Sequence, residues 1–148
     1  MTTRKLLFIC TGNFYRSRFA EAVFNHRAEE LGLPWKAFSR GLAIHYVPEG
    51  DLSGHTAAAL AQRGVHLRHT GPVRVQISDD DLQSADMVIA LDDREHRPML
   101  RDMFPEWENR ITFWGVQDMP HIWPEEALPA IEARVGELIA ALAQSSGK

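Results

Sequence analysis

Apolar runs of strand length alternate with amphipathic helical patterns along the chain, and that alternation leaves few folds open. Leu6 to Cys10 is a continuous apolar run, as expected of a central parallel strand covered on both faces. Ser17 to Leu31 places Phe19, Ala20, Val23, Phe24, Ala28 and Leu31 at helical spacing, and Gly32 and Pro34 end it. Trp35 to Leu42 reads as a second strand and His55 to Arg63 as a short helix closed by Gly64. Val73 to Ile77 is a weak extended stretch before the acidic turn Ser78-Asp79-Asp80-Asp81. Asp86 to Leu91 is a clear buried strand, Asp93 to Phe104 a helix, and Ile111 to Trp114 the last strand. From Glu125 to Ala143 the residues Leu128, Ile131, Val135, Leu138, Ile139 and Leu142 form the apolar face of a closing helix, which Pro129 either starts or kinks. The pattern predicts an α/β fold: one doubly wound sheet of about four parallel strands flanked by helices.

No repeat or linker divides the 148 residues, which suffice for a single domain with a real core. One Cys excludes an internal disulfide and suits a reducing compartment, so a cytoplasmic location is expected. The start, Met1 to Lys5 and then five residues to Cys10, is too short and too soon interrupted for a signal peptide. No run approaches the ~20 apolar residues of a membrane span. A net charge of −4 argues against a general nucleic-acid binder. Most of the 16 basic residues are Arg, which we read as composition rather than function. His66-x-x-His69 has metal-ligand spacing but no third ligand, and Asp79-Asp80-Asp81 reads as a solvated helix start, so no metal is expected.

Chemistry concentrates where the first strand ends. Cys10-Thr11-Gly12-Asn13-Phe14-Tyr15-Arg16-Ser17 joins that strand to the first helix. In doubly wound sheets the ligand sits beyond the carboxyl ends of the strands, where strand order reverses. Backbone N–H groups from Thr11 through Arg16, leading into a helix N-terminus, can converge on one anion. Gly12 permits close approach and unusual dihedrals, and Asn13 tolerates the left-handed conformation such a nest needs. Arg16 can grip two phosphate oxygens at once. The same positive field favours the nucleophilic thiolate of Cys10, and Ser17 is placed either to hydrogen-bond that sulfur or to cap the helix. The competing reading is a core Cys with Arg16 on the solvent face; strand, Gly, Asn, Arg and helix start in register favour the loop.

A thiolate attacking a phosphate ester needs a proton donor for the leaving oxygen, typically worth ~10²–10⁴-fold in rate. Asp118, after the last strand, is the best candidate. Asp92 and Asp93 compete, although Asp93 reads better as a helix cap.

These residues resemble the low-molecular-weight protein tyrosine phosphatases. The likeness spans nearly the whole chain: the Cys-x5-Arg-Ser loop with Gly12 and Asn13, Ser39-Arg40-Gly41 at a strand end, Ala85 to Asp92, and a late Asp before the final helix. It implies a flavodoxin-like fold and a cysteinyl-phosphate mechanism without metal or cofactor. Cys10 would attack phosphorus; Arg16 and the amides of Thr11, Gly12, Asn13, Phe14, Tyr15 and the loop end would hold the phosphoryl oxygens. Asp118 would protonate the leaving group and then activate water. Asn13 would hold the loop, and Ser17 would stabilise the sulfur. The expected partner is a phosphorylated protein or a small phosphomonoester.

The departures are specific. Tyr15 stands where the family usually has a second Cys, so Cys10 has no internal disulfide partner and oxidation would pass more readily to sulfenic acid and beyond. Phe14 replaces a small residue or Thr, and Arg18 replaces the Pro that usually follows Arg-Ser. Asp118-Met119-Pro120-His121 replaces the family's Asp-Pro-aromatic triplet, which puts phosphotyrosine preference in question. Tyr46, His45 or Trp123 would then supply a pocket wall, or else simply pack. Phe14 and Tyr15 either reshape the pocket or, for Tyr15, turn into the core. Three rivals stand beside a tyrosine phosphatase. A weakened phosphoprotein-binding module fits the altered loop. An arsenate reductase would need further cysteines for its relay. A protein-arginine phosphatase generally has Thr where Phe14 stands.

Overall fold

The central strand β1 (Arg4–Cys10) lies inside a four-stranded, all-parallel sheet with β2 (Trp35–Gly41), β3 (Met87–Ala90) and β4 (Thr112–Phe113), in the order β2-β1-β3-β4. The structure is a computed structural model and describes residues 2–47 and 50–146. The helices are α1 (Arg16–Leu31), α2 (Gly54–Gln62), α3 (Asp79–Ser84), α4 (Asp93–Met103) and α5 (Pro124–Ser146). Single turns of tighter helix occur at Ile44–Tyr46 and Leu67–His69, with a longer one at Pro105–Arg110.

Period-two alternation in β1 builds two cores. Leu6, Phe8 and Cys10 face α1 and α5 and pack with Phe19, Phe24, Leu128, Ile131 and Val135. Leu7 and Ile9 face the opposite side, against Leu82, Val88, Leu100 and Trp107. Because both faces are covered, β1 is apolar throughout its buried length, which is why its sequence shows no alternation. The chain runs from β1 outward to β2 and then crosses to β3 on the other side. Cys10, paired in register with Gly41, is therefore the last residue of the strand where the order reverses.

Local signals set the helix ends. Gly32 takes φ 65° and closes α1: the Leu33 N–H reaches Ala28 O at 2.9 Å and the Gly32 N–H reaches Glu29 O at 3.2 Å. Ser78 and Asp81 form a reciprocal capping box on α3, so the acidic turn is a helix start, as its composition suggests. α5 begins at Pro124 and continues through Pro129, so Pro129 does not start it. Asp93 does not cap α4: the cap position is Asp92, whose side chain makes no capping bond, and Asp93 pairs with Arg97 at 2.7 Å.

The stretch Val73–Ile77 is not a strand. It touches β2 through one bridge, Gly41 to Gln76, and the Val75 N–H goes to the side chain of Asn13 at 2.9 Å instead of to a ladder. β4 is also shorter than its apolar run, because the chain bends back and Gly115 pairs antiparallel with Asp92. Among the described residues no helix is long and apolar enough to cross a membrane.

Candidate active site

The segment Thr11–Tyr15 wraps around the carboxyl end of β1, and its carbonyls are tied outward. Cys10 O accepts from Leu42 N–H at 3.0 Å, Thr11 O from Ala43 N–H at 2.8 Å, and Phe14 O from Ser53 N–H at 2.8 Å. With its acceptors engaged there, the loop can turn amide donors to the concavity inside it. The left-handed turn falls on Asn13, at φ 51°, and not on Gly12. Gly12 serves close packing: a Cβ there would meet Val47 Cγ2 at 2.3 Å.

A directed chain of buried hydrogen bonds leads to the sulfur. The Asn13 amide oxygen accepts from Val75 N–H, which fixes its orientation; its Nδ2 donates to Ser39 Oγ at 2.9 Å and Ser17 Oγ at 3.1 Å. Ser39 passes its own proton to Glu21 Oε1 at 2.6 Å. Ser17, having accepted from Asn13, has its hydroxyl proton free for Cys10 Sγ at 2.8 Å. Ser17 therefore meets the sulfur and does not cap α1.

Arg16 is 2% exposed, which rules out the solvent-face reading. Its Nη1 donates to Val116 O at 2.9 Å and its Nη2 to both carboxylate oxygens of Glu95 at 3.0 Å. Asp118 Oδ2 lies 3.6 Å from the same nitrogen, while Asp118 Oδ1 accepts from Met119 N–H at 2.8 Å. Burial opposes the charge on Arg16, but Cys10, Glu95 and Asp118 outweigh it and raise its pKa.

The loop, Arg16 and Asp118 line one cavity of about 350 Å³, with Phe14, Tyr15, Tyr46, Val47 and His55 among its walls. Tyr46 is 73% exposed at the rim with the His45 ring tilted against it, ring centroids 4.3 Å apart; His45 itself is not a wall. Trp123 is exposed and does not line the cavity. Tyr15 does both things its position allows. Its ring belongs to the core and also borders the cavity, while its hydroxyl is buried without a partner and its pKa is pushed up to about 12 by burial, with Asp118 adding to the effect. Asp92 is buried outside the cavity, its N–H bonded to His96 Nδ1 at 3.0 Å.

Two further charged residues stand at the site: Glu95, which the sequence does not announce, and Arg18, whose position is unusual but whose role the sequence does not give. Glu95, in the first turn of α4, grips Arg16 and accepts the Thr11 hydroxyl; the acidic run after β3 draws attention to Asp92 and Asp93, a few residues too early. Burial works against the Glu95 carboxylate, but the neighbouring His96 and Arg16 outweigh it and hold its pKa well below the ordinary carboxylate range. Arg18, in the usual proline position, is 2% exposed. It donates to Thr70 Oγ1 at 2.6 Å, to Asp51 O at 2.5 Å and to Gly71 O, while Thr70 donates to Glu21 at 2.7 Å. Arg18 and Glu21 are thus a buried pair beneath the loop, and burial pushes the pKa of Arg18 down and that of Glu21 up.

A cavity lined by a thiol, a buried arginine and a carboxylate thus sits at the carboxyl edge of a doubly wound sheet. Residues 5–146 match the family described as low molecular weight phosphotyrosine protein phosphatase, and the chain belongs to that family. A low molecular weight protein-tyrosine-phosphatase of Streptomyces coelicolor is 37% identical over 105 residues, 70% of this chain and 61% of that protein. A protein-arginine-phosphatase of Bacillus subtilis is 30% identical over 106 residues, 72% of this chain and 67% of that protein. An arsenate reductase of Brevibacillus brevis is 31% identical over 124 residues, 82% of each. The match thus spans about three fifths of the Streptomyces protein. Among solved structures, YfkJ from Bacillus subtilis superposes with a TM-score of 0.83 at 27% identity, covering 100% of this chain and 99% of that one.

Proposed function

We propose that the protein is a phosphomonoester hydrolase, acting on phosphotyrosine in proteins or on small aryl phosphates, through a cysteinyl-phosphate intermediate. The observation that carries this reading is the convergence of Cys10, Arg16 and Asp118 on one cavity, with Ser17 hydrogen-bonded to the sulfur. In the first step Cys10 Sγ forms a bond to phosphorus as the ester P–O bond breaks, and Asp118 gives its proton to the leaving oxygen. In the second, Asp118 takes a proton from water, the water oxygen bonds to phosphorus, and the S–P bond breaks to return the thiolate. Ser17 supports the sulfur as nucleophile and as leaving group. Arg16 and the loop amides hold the phosphoryl oxygens throughout. No cofactor takes part in either step.

The Bacillus subtilis relative named as a protein-arginine-phosphatase favours phosphoarginine as a second substrate class, against which stands Phe14 in the pocket wall. The relative named as an arsenate reductase favours a reductase as a further reading, but Cys10 is the only Cys of the chain and no thiol relay can form within it. The test is hydrolysis of phosphotyrosine, phosphoserine, phosphoarginine and an aryl phosphate by wild type and Cys10→Ser. We expect aryl and tyrosyl phosphates to be cleaved and Cys10→Ser to be inactive. Equal rates for the two proteins refute the nucleophile, and phosphate-ligand affinity without Cys10-dependent hydrolysis shows a binding module.

A further inference from the structure

Arg16 enters the site with its guanidinium already committed on one side. Nη1 is held by Val116 O, and Nη2 lies 3.0 Å from both oxygens of Glu95. The Glu95 carboxylate also accepts the hydroxyl of Thr11, the residue that follows the nucleophile, so it spans the two ends of the phosphate loop. Behind it stands His96, which is fully buried. The Nδ1 of His96 accepts Asp92 N–H, so its proton is on Nε2, the atom 3.4 Å from Glu95 Oε2. The Glu95 side chain is 29% exposed, and its charge therefore acts across a partly desolvated site.

We propose that Glu95 is a positioning residue of the phosphate site, which fixes Arg16 and Thr11 in the loop and, by its charge, holds down the affinity for the phosphate product. The proposal rests on the phosphatase reading of the cavity and adds to it. An arginine side chain is rich in rotamers, and ordering it during binding weakens the complex. Glu95 orders it beforehand. The cost is electrostatic. A phosphate that docks on the free edge of Arg16 brings negative charge close to a carboxylate already paired with the same guanidinium. Asp118 Oδ2, at 3.6 Å from Nη2, adds to that crowding when ionised. Against the effect of burial, His96 and Arg16 hold the Glu95 pKa below the ordinary carboxylate range, which favours its charged form. The two effects part company on substitution. Gln keeps an acceptor oxygen for Arg16 and Thr11 but removes the charge, whereas Ala removes both.

The test reads binding separately from turnover. In the Cys10→Ser background, isothermal titration with inorganic phosphate is compared for Glu95 and Glu95→Gln. We expect Glu95→Gln to bind phosphate about tenfold tighter, the factor that one opposing charge at this range produces in a partly screened site. Equal or weaker binding overturns the charge role while leaving Cys10 chemistry intact. Phosphate binding by neither protein overturns the phosphate-site reading and this inference together. In the Cys10 background, Glu95→Ala should lower kcat with an aryl phosphate about tenfold, and Glu95→Gln should keep most of it. Matching kcat and KM in Glu95→Ala and wild type overturn the positioning role. Far-ultraviolet circular dichroism checks the fold of each variant, and the Gln comparison stands alone should Glu95→Ala not fold.

Discussion

Asn13 takes a left-handed backbone angle, φ 51°, and uses both ends of its amide inside the protein. The turn curls the loop over the end of β1; the side chain ties Val75, Ser39 and Ser17 to that turn. Asn13→Ala would keep the Cβ at the left-handed position while removing the amide that compensates for it, and would leave buried partners short of a donor or an acceptor. About 2–3 kcal/mol of stability should be lost, measured by urea unfolding. kcat toward an aryl phosphate should fall at least about tenfold, because Ser17 loses the bond that directs its proton to Cys10. An unchanged kcat would mean that Ser17 is oriented by something other than Asn13. At this scale the sequence was informative about the residues of the loop and silent about those behind it. Cys10, Arg16 and Asn13 stand within seven consecutive residues. Glu95 and Thr70 reach the same site from α4 and from the turn before residue 71, and no local pattern announces them.

Strand ends hold the loop as much as the loop residues do. Gly41, the last residue of β2, pairs with Cys10, and a Cβ on it would lie 2.9 Å from both Asn13 N and Thr11 O. These are backbone atoms of the phosphate loop and cannot step aside as a flexible side chain can. Gly41→Ala should destabilise by about 1–3 kcal/mol and raise KM for an aryl phosphate, since the strain falls on the loop. A KM equal to wild type would show that the loop absorbs the methyl group without moving. Elements with a clear apolar pattern were legible: the continuous run of β1 and the helical spacing of α1 and α5 lie where the sequence puts them, with ends displaced by a few residues at most. The stretch Val73–Ile77 was not, because its apolar alternation resembles a strand while its N–H at Val75 is drawn off by Asn13. Its role is to brace the loop from outside the sheet.

Across the whole molecule the order β2-β1-β3-β4 brings four separate segments to the carboxyl edge of the sheet. The loop after β1, the turn after β2 with Tyr46 and Val47, the start of α4 with Glu95 and the loop after β4 with Asp118 all meet at that edge. The alternation of strands and helices predicts this meeting place, since a doubly wound sheet opens its crevice at the reversal of strand order. It does not predict how charge is distributed there. Arg16 faces two carboxylates, and a second arginine, Arg18, is buried beneath the loop against Glu21. We propose that phosphoryl transfer passes through Cys10. This is tested most directly by a rapid denaturing quench during turnover of an aryl phosphate, followed by peptide mass spectrometry, on wild type and Asp118→Asn. We expect one phosphoryl group on the peptide containing Cys10, absent from Cys10→Ser. Turnover with the phosphoryl group on another residue, or on none in either protein, would contradict it.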